Sequence, residues 1–568
     1  MVGRRFFRIN MWSLVQKALL ESRRRWATRS VPLPGESTNL KPYSLHLVSL
    51  ITLAALLCGC TSLTEYVHNR FKVGPNYGRP PAPVAQNWID VVDPRVRTES
   101  DDLSKWWKVF NDPVLDDLIC SAYLQNLTLR QAGMRVLEAR AQLGIAMGNI
   151  FPQTQTATGS FTWDAISREV ANRGLSQIGT ISGAQFKRFF GQWQYGFNLA
   201  WELDFWGRFR RAVEGSSDNL DAAVENYDSM LVTLLGDVAT NYAQLRTTEQ
   251  RIKYAKQNVE LQRQTLTLVR ARFDAGTVSE LDLDQARSTL AQTEATIPEL
   301  EISLRQFNNQ LCILLGIPPE ELQAKLGPAP ILNAPPEVAV GIPADLLRRR
   351  PDVRAAERRA AAQCAQIGVA EADFYPRISI TGSLGYSAEF FKNLFRSPAL
   401  TGNVGPSFTW NILNYGRILN NVRLQDATFQ ELAATYQNAV LTANQDVENG
   451  LVTFLQAQER TKFQAESVAA AEKAVKVGLV QYKGGIIDFT RVTQLETTLV
   501  QLQDTLAIAQ GEIGLGLIQV YRALGGGWEI RLNGCETSGL GPQGAPRPAD
   551  EALPALQPEP TPVVPKKP

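Results

Sequence analysis

The hydrophobic pattern of this 568-residue chain switches between two periods. Over QWQYGFNLAWEL, Trp193, Tyr195, Phe197, Leu199, Trp201 and Leu203 fall on one side. Gln192, Gln194, Gly196, Asn198, Ala200 and Glu202 fall on the other. A period of two predicts a strand with one apolar and one polar face. Val404, Phe408, Trp410 and Ile412 alternate in the same way with Gly405, Ser407, Thr409 and Asn411. Weaker partners carry Ala157, Gly159, Phe161 and Trp163, and Ile378, Ile380, Leu384 and Tyr386. The four strands are predicted over 153–164, 192–203, 377–387 and 403–413.

Between the strands the period lengthens. No proline occurs from Arg208 to Phe273, and Leu231, Leu234, Val238, Tyr242 and Leu245 form a heptad-like stripe. A helix of that length spans roughly 100 Å at 1.5 Å per residue. A second such run extends from Arg417 to Tyr482. Each stops at a glycine turn, FDAGTVSELD (273–282) or YKGGIIDFTR (482–491), and reverses into a return helix over about 281–314 or 490–523. Shorter helices are predicted at about 115–149 and 345–373. The long hairpins place their tips far from the strands.

The same unit is used twice. An offset of 209 pairs Trp201 with Trp410, Gly207-Arg208 with Gly416-Arg417, Asp237-Val238 with Asp446-Val447, and Gly276 with Gly485. Upstream of the strands the offset is 224, pairing Phe151-Pro152 with Tyr375-Pro376. The second copy is therefore shorter between Pro376 and Trp410, a change that belongs in a surface loop. Trp201 and Trp410 should sit at one height, where strand passes into helix. The predicted organisation is a basic extension and signal (1–59), a linker (60–110), a first repeat (111–316), a connecting segment (317–344), a second repeat (345–527) and an end with a Pro-rich tail (528–568).

Charge sharpens the N-terminus. The chain balances 58 Lys+Arg against 56 Asp+Glu, but residues 1–59 hold nine of the former and two of the latter. That basic stretch precedes the apolar run Leu45–Leu57, which is shorter than the ~20 residues of a membrane-spanning helix. The run ends in LCGC, a lipoprotein-type cleavage site with Cys60 as the lipid-bearing residue. Thr61 in place of an aspartate favours the outer membrane. Cys120, Cys312, Cys364 and Cys535 are scattered, and no pairing can be read from their spacing. The only histidines are His46 and His68. No phosphate loop, nucleophile elbow or metal motif occurs, so no enzyme, cofactor or metal site is expected. RRRPDVRAAERR interleaves acids and bases and is read as a solvated helix start, with Pro351 in the first turn, not as a nucleic-acid patch.

Strands of about ten residues, apolar on one face and polar on the other, suit an outer-membrane barrel; a strand pair in a soluble sandwich is the alternative. Four strands cannot close, and backbone in lipid must be paired. The fold class is thus an α+β membrane protein whose barrel is shared between chains.

VGPNYGRPPAP (73–83), WWKVFNDPVLDDLI (106–119) and IPADLLRRRPDVRAAERRAAAQCAQIGVAEADFYPRISITGS (342–383) resemble segments of the TolC-like outer-membrane efflux proteins, in the lipoprotein (NodT/OprM) branch. The resemblance covers about residues 57–527. It implies a homotrimer with a twelve-stranded outer-membrane barrel and a periplasmic helical tunnel. A mixed belt around that tunnel would include 320–345 and the segment near 530. The implied function is passive export of small molecules with a periplasmic adaptor and an inner-membrane pump, often of the resistance-nodulation-division type. Adaptor contact would fall on the tips, at Gly276, Ser279, Leu281, Asp282, Gly485 and Asp488. The periplasmic aperture would fall at Arg491 and Gln494, where the family places aspartates; Asp488 and Glu496 are the acids left to compensate. The barrel-to-tunnel junctions would be Trp201, Gly207 and Arg208, and Trp410, Gly416 and Arg417. The competing readings are a coiled-coil structural or adhesion lipoprotein and a periplasmic enzyme.

Overall fold

The computed structural model describes residues 63–99, 102–165, 167, 189–345 and 349–535. Cys60, the basic N-terminal region and the Pro-rich tail lie outside the described residues. The main helices are α1 (Pro113–Gln125), α2 (Leu127–Gly148), α3 (Arg208–Asp274), α4 (Glu280–Leu314), α5 (Pro351–Ala372), α6 (Arg417–Lys483) and α7 (Phe489–Ala523). The main strands are β1 (Thr154–Ala165), β2 (Phe189–Leu203), β3 (Arg377–Ala388) and β4 (Leu400–Thr409).

From α2 onward the two halves match element by element. α3 and α6 each have 67 residues, α4 and α7 each 35, and α2 and α5 each 22. Unequal connections absorb the length difference: residues 166–188 join β1 to β2, and 389–399 join β3 to β4.

The four strands make one antiparallel sheet in chain order, β1-β2-β3-β4. Trp201 lies opposite Ile380, Phe197 opposite Leu384, and Ile378 opposite Phe408. The alternating rows of all four strands therefore coincide on one face, because a period-two pattern held in register cannot do otherwise.

The helices pack with α5 between α3 and α6, α2 against α3, and each return helix against its own long helix. Small residues on α5, among them Ala356, Ala360, Ala361 and Ala365, are buried and let its neighbours approach closely. Polar bonds tie α3 to α7: Arg251 to Asp504 at 2.6 Å, Arg522 to Asp237 at 2.8 Å, and Asn258 to Gln503 at 2.8 Å. A belt crosses these helices at mid-length. There the two-residue strands Val96–Arg97 and Val338–Ala339 pair in parallel, Trp88 donates to the Gly341 carbonyl at 3.0 Å, and Trp106 stacks on Tyr521 at 5.5 Å. Cys120 of α1 and Cys535 are disulfide-bonded, with Cα atoms 5.7 Å apart. Spacing alone could not give that pairing.

Four expectations are corrected. The helix expected over 115–149 is broken at Asn126, which is extended. Its side chain accepts from the Leu129 N–H and donates to the Leu314 carbonyl, both at 2.8 Å, so one residue serves two helix ends. The helix expected from 345 begins at Pro351, because the residue before a proline is held out of the helical region. The strand expected over 403–413 runs from Leu400 to Thr409. Trp410 therefore lies just past the β3–β4 ladder, as Trp201 lies just past the β1–β2 ladder, which ends at Ala200; Trp201 is paired only on its other side, with Ile380 of β3.

The fourth correction concerns the arginine-rich start of α5, which is packed, not solvated. Arg350 bonds to Asp352, Asp446 and the Ala523 carbonyl. Arg354 pairs with Glu225 at 2.6 Å, and Arg358 with Asp218 at 3.2 Å. Acids on α3 and α6 draw these cations inward. Burial pushes Glu225 up to about 7, outweighing the downward pull of Arg354. A cavity of about 390 Å³ lined by Arg350, Asp352, Asp446 and Arg522 lies beside them, and ion pairs take up its charges.

Candidate functional site

Three places position functional side chains: the sheet faces, the junctions below the sheet, and the hairpin tips. On the sheet, one face carries Trp163, Trp193, Phe197, Trp201, Ile380, Leu384, Val404 and Phe408. The other carries Thr156, Thr158, Gln194, Asn198, Ser379, Thr381, Ser383, Asn403 and Ser407. Much of the apolar row is exposed in the single chain, with Trp163 at 66% and Phe408 at 74%. The polar row bonds within itself, Asn198 to Thr158 at 3.3 Å and Ser383 to Asn403 at 2.5 Å. A sheet that exposes a continuous apolar face fits lipid, and its polar face fits water.

At each junction, glycine starts the long helix. Gly207 has φ +81° and Gly416 φ +82°, a left-handed conformation that costs a side-chain-bearing residue. Trp201 donates its indole N–H to the Ile150 carbonyl at 3.1 Å, and Trp410 donates to the Phe374 carbonyl at 2.9 Å. Arg208 reaches Glu202 at 3.5 Å and Asp373 at 3.9 Å. Arg417 opens α6 as Arg208 opens α3.

The tips are built from the same parts. Gly276 and Gly485 have φ +70° and +72°. Ser279 and Asp282 form a reciprocal capping box on α4, and Asp488 caps α7 by accepting from the Arg491 N–H at 3.0 Å. Leu281 is exposed, as is Ile486, a neighbour that periodicity did not single out. Val269, Leu283, Tyr482, Phe489 and Val492 share one small core, which brings the two tips together. Arg272 reinforces it, donating to the Lys483 carbonyl at 2.7 Å and lying 4.6 Å from the Tyr482 ring centroid. Neither Arg272 nor Tyr482 carries a motif that would announce this contact.

Arg491 and Gln494 are neighbours on the first turns of α7, with Arg491 Nη1 3.4 Å from Gln494 Oε1. Glu496 does not join them. It is buried and accepts from Thr265 Oγ1 of α3 at 2.6 Å. Desolvation raises its pKa above the usual carboxylate range, against the lowering effect of the Thr265 hydrogen bond. Its period on α7 turns it toward α3, so it cannot compensate for Arg491 at an aperture.

A sheet built for lipid, continued by helices several times longer than a domain needs, defines an outer-membrane duct. The family model described as "Outer membrane efflux protein" matches residues 118–317 and 342–526. The chain belongs to that family, and its function is passive efflux through the outer membrane. It is 31% identical over 429 residues to "Pyoverdine export outer membrane protein OpmQ" of Pseudomonas putida, covering 75% of this chain and 88% of that one. It is 27% identical over 492 residues to "Probable outer membrane lipoprotein SilC" of Salmonella typhimurium, covering 86% and 99%. Among solved structures, the outer-membrane channel OprN superposes with a TM-score of 0.74 at 32% identity, covering 80% and 99%.

Proposed function

We propose that three copies of this chain close a twelve-stranded barrel and act as the exit duct of a tripartite efflux system, without catalysis. The observation that carries the proposal is the sheet. Among the described residues, β1 and β4 each have a partner on one side only, while the sheet's apolar face is built for lipid. In hydrocarbon an unpaired strand edge is not tolerated, so both edges need partners. Cyclic assembly supplies them, β4 of one copy meeting β1 of the next. Three chains of four strands give an even, closed number.

The long hairpins then form the wall of a periplasmic tunnel. The exposed tips, with Gly276, Ser279, Leu281, Asp282, Gly485 and Asp488, are the surface for a periplasmic adaptor. An inner-membrane pump, of the resistance-nodulation-division type, supplies the energy that a passive duct lacks. Lipid carried by Cys60 adds a second attachment to the outer membrane, a reading supported by the name of the SilC relative. The name of the OpmQ relative, which speaks of pyoverdine export, supports small-molecule cargo. The aperture lies at Arg491 and Gln494, where three arginines would disfavour cations.

Planar-bilayer recording of the purified full chain tests the duct. Discrete, long-lived conductance steps are expected. A protein that binds bilayers without conducting would return the argument to a structural coiled-coil lipoprotein.

A further inference from the structure

The first described segment makes a turn that its residues do not favour. Arg70 and Phe71 both have positive φ, 56° and 61°. Two consecutive left-handed residues, one of them a bulky aromatic, hold only where the surroundings impose them. The first turn of α3 imposes them here. Arg210 donates to the Arg70 carbonyl at 2.9 Å and to the Phe71 carbonyl at 2.8 Å, while Asp204 orients its guanidinium at 2.9 Å. Arg211, fully buried, donates to the Val73 and Gly74 carbonyls at 3.1 and 2.9 Å. The Val73 N–H donates to the Trp206 carbonyl at 3.0 Å. The segment is thus strapped to the junction by two adjacent arginines.

What the turn presents is a ring. Phe71 is 54% exposed and Phe205 52% exposed, and Tyr66 bridges them with ring centroids 5.5 and 6.5 Å away. The Tyr66 hydroxyl donates to the Phe205 carbonyl at 2.7 Å. Phe205 follows Leu203, the last member of the lipid-facing row of β2, by two positions. The Phe205 N–H donates to the Leu203 carbonyl at 2.8 Å in a tight turn, which sets the aromatic group just past the end of the sheet, at the level where amphipathic rings settle in a bilayer. Exposed Arg70 sits beside it, suited to a phosphate headgroup. Leu63, the first described residue, follows Cys60 by three positions, so the strap is the segment nearest the candidate anchor.

We propose that Tyr66, Phe71 and Phe205 form a non-covalent foothold in the phospholipid leaflet at the end of the sheet. The strained turn exists to aim Phe71 into the boundary between headgroups and acyl chains. The inference rests on reading the sheet as membrane-spanning. It does not need Cys60 to carry lipid.

The test reconstitutes the full chain in phosphatidylethanolamine/phosphatidylglycerol vesicles containing a phospholipid with a photoreactive diazirine near the headgroup. Cross-linked peptides are then mapped by mass spectrometry. Labelling is expected on residues 64–73 and 204–206 as well as on the strands. Phe71→Gly keeps the left-handed turn, since glycine adopts it freely, but removes the ring. It should cut labelling of the strap at least threefold with strand labelling unchanged, and Phe205→Ser should lower it further. Strands labelled with the strap unlabelled would overturn the foothold while leaving the membrane reading intact. Unlabelled strands would overturn both. Strap labelling indifferent to Phe71→Gly would also overturn it.

Discussion

Trp410 donates its indole N–H to the carbonyl oxygen of Phe374 at 2.9 Å, from a position just past the end of its strand. Trp201 makes the corresponding bond to Ile150 at 3.1 Å from within its strand. Ile150 and Phe374 are each the residue before the aromatic-proline pair that leads into β1 and β3. Both halves thus pin the descending strand to the ascending one at the same joint, one residue past hairpin ladders that end at Ala200 and Thr409. Trp201→Phe and Trp410→Phe each keep a ring and lose the bond. Each should cost about 1–2 kcal/mol, the loss of a half-buried hydrogen bond with its acceptor left bare. Thermal unfolding of the purified variants reads this. A penalty at Trp201 with none at Trp410 would break the equivalence of the two joints.

The two junction glycines separate conformation from space. A Cβ on Gly416 would meet only Asn420 Nδ2 at 3.7 Å, so Gly416→Ala pays for its left-handed φ alone, about 1–2 kcal/mol. A Cβ on Gly207 would come within 2.8 Å of Lys72 Cα in the strap. Gly207→Ala should therefore cost several kcal/mol, with the clash added to the φ term, and should loosen residues 69–76. Limited proteolysis near Arg70 alongside melting curves would show it. Equal penalties at the two sites would mean that the strap does not pack on Gly207 in solution.

The strands and hairpins were legible because their signals are local. Period two over Trp193–Leu203 and a proline-free run over Arg208–Phe273 each specify an element without reference to the rest of the chain. Contacts made by distant segments were not legible. Cys120 and Cys535 meet only because α1 and the C-terminal segment share the belt. Arg272 meets Lys483 only because two tips share a core. The arginines of α5 look solvated in a linear reading, since their acids stand on α3 and α6. Asn126 carried a detectable signal, an amide that caps helices, but the apolar periodicity on both sides obscured it. The strand end at Thr409 was missed because Trp410 and Ile412 continue the alternation beyond the ladder.

Glu496 gives a pH dependence of defined sign. Its folded pKa lies above the unfolded value because burial disfavours the charge. Between those two values the folded state binds the extra proton, so stability falls as pH rises through that window and stays lowered above it. Glu496→Gln keeps a group that can accept from Thr265 and removes the buried charge. It should raise the melting temperature at pH 7–8, with the gain shrinking as pH drops toward the unfolded carboxylate range of about 4. A variant less stable than the parent at neutral pH would show that the carboxylate is paired with a cation in the assembled protein.

The proposed aperture at Arg491 is tested by charge reversal. Arg491→Asp would change the local charge by two units per chain, and the shift in reversal potential under a salt gradient should move toward cation preference. The Asp488 cap on the Arg491 N–H uses the backbone, so the fold should survive the substitution. An unchanged reversal potential would place the constriction elsewhere.

The claim on which the rest depends is that the sheet's two open edges are closed by two further copies. Native mass spectrometry of the full chain, released from nanodiscs without cross-linker, counts the chains in each particle directly. The account predicts three, with no stable one- or two-chain species retaining the barrel. A particle of one chain, or of any number other than three, would contradict it.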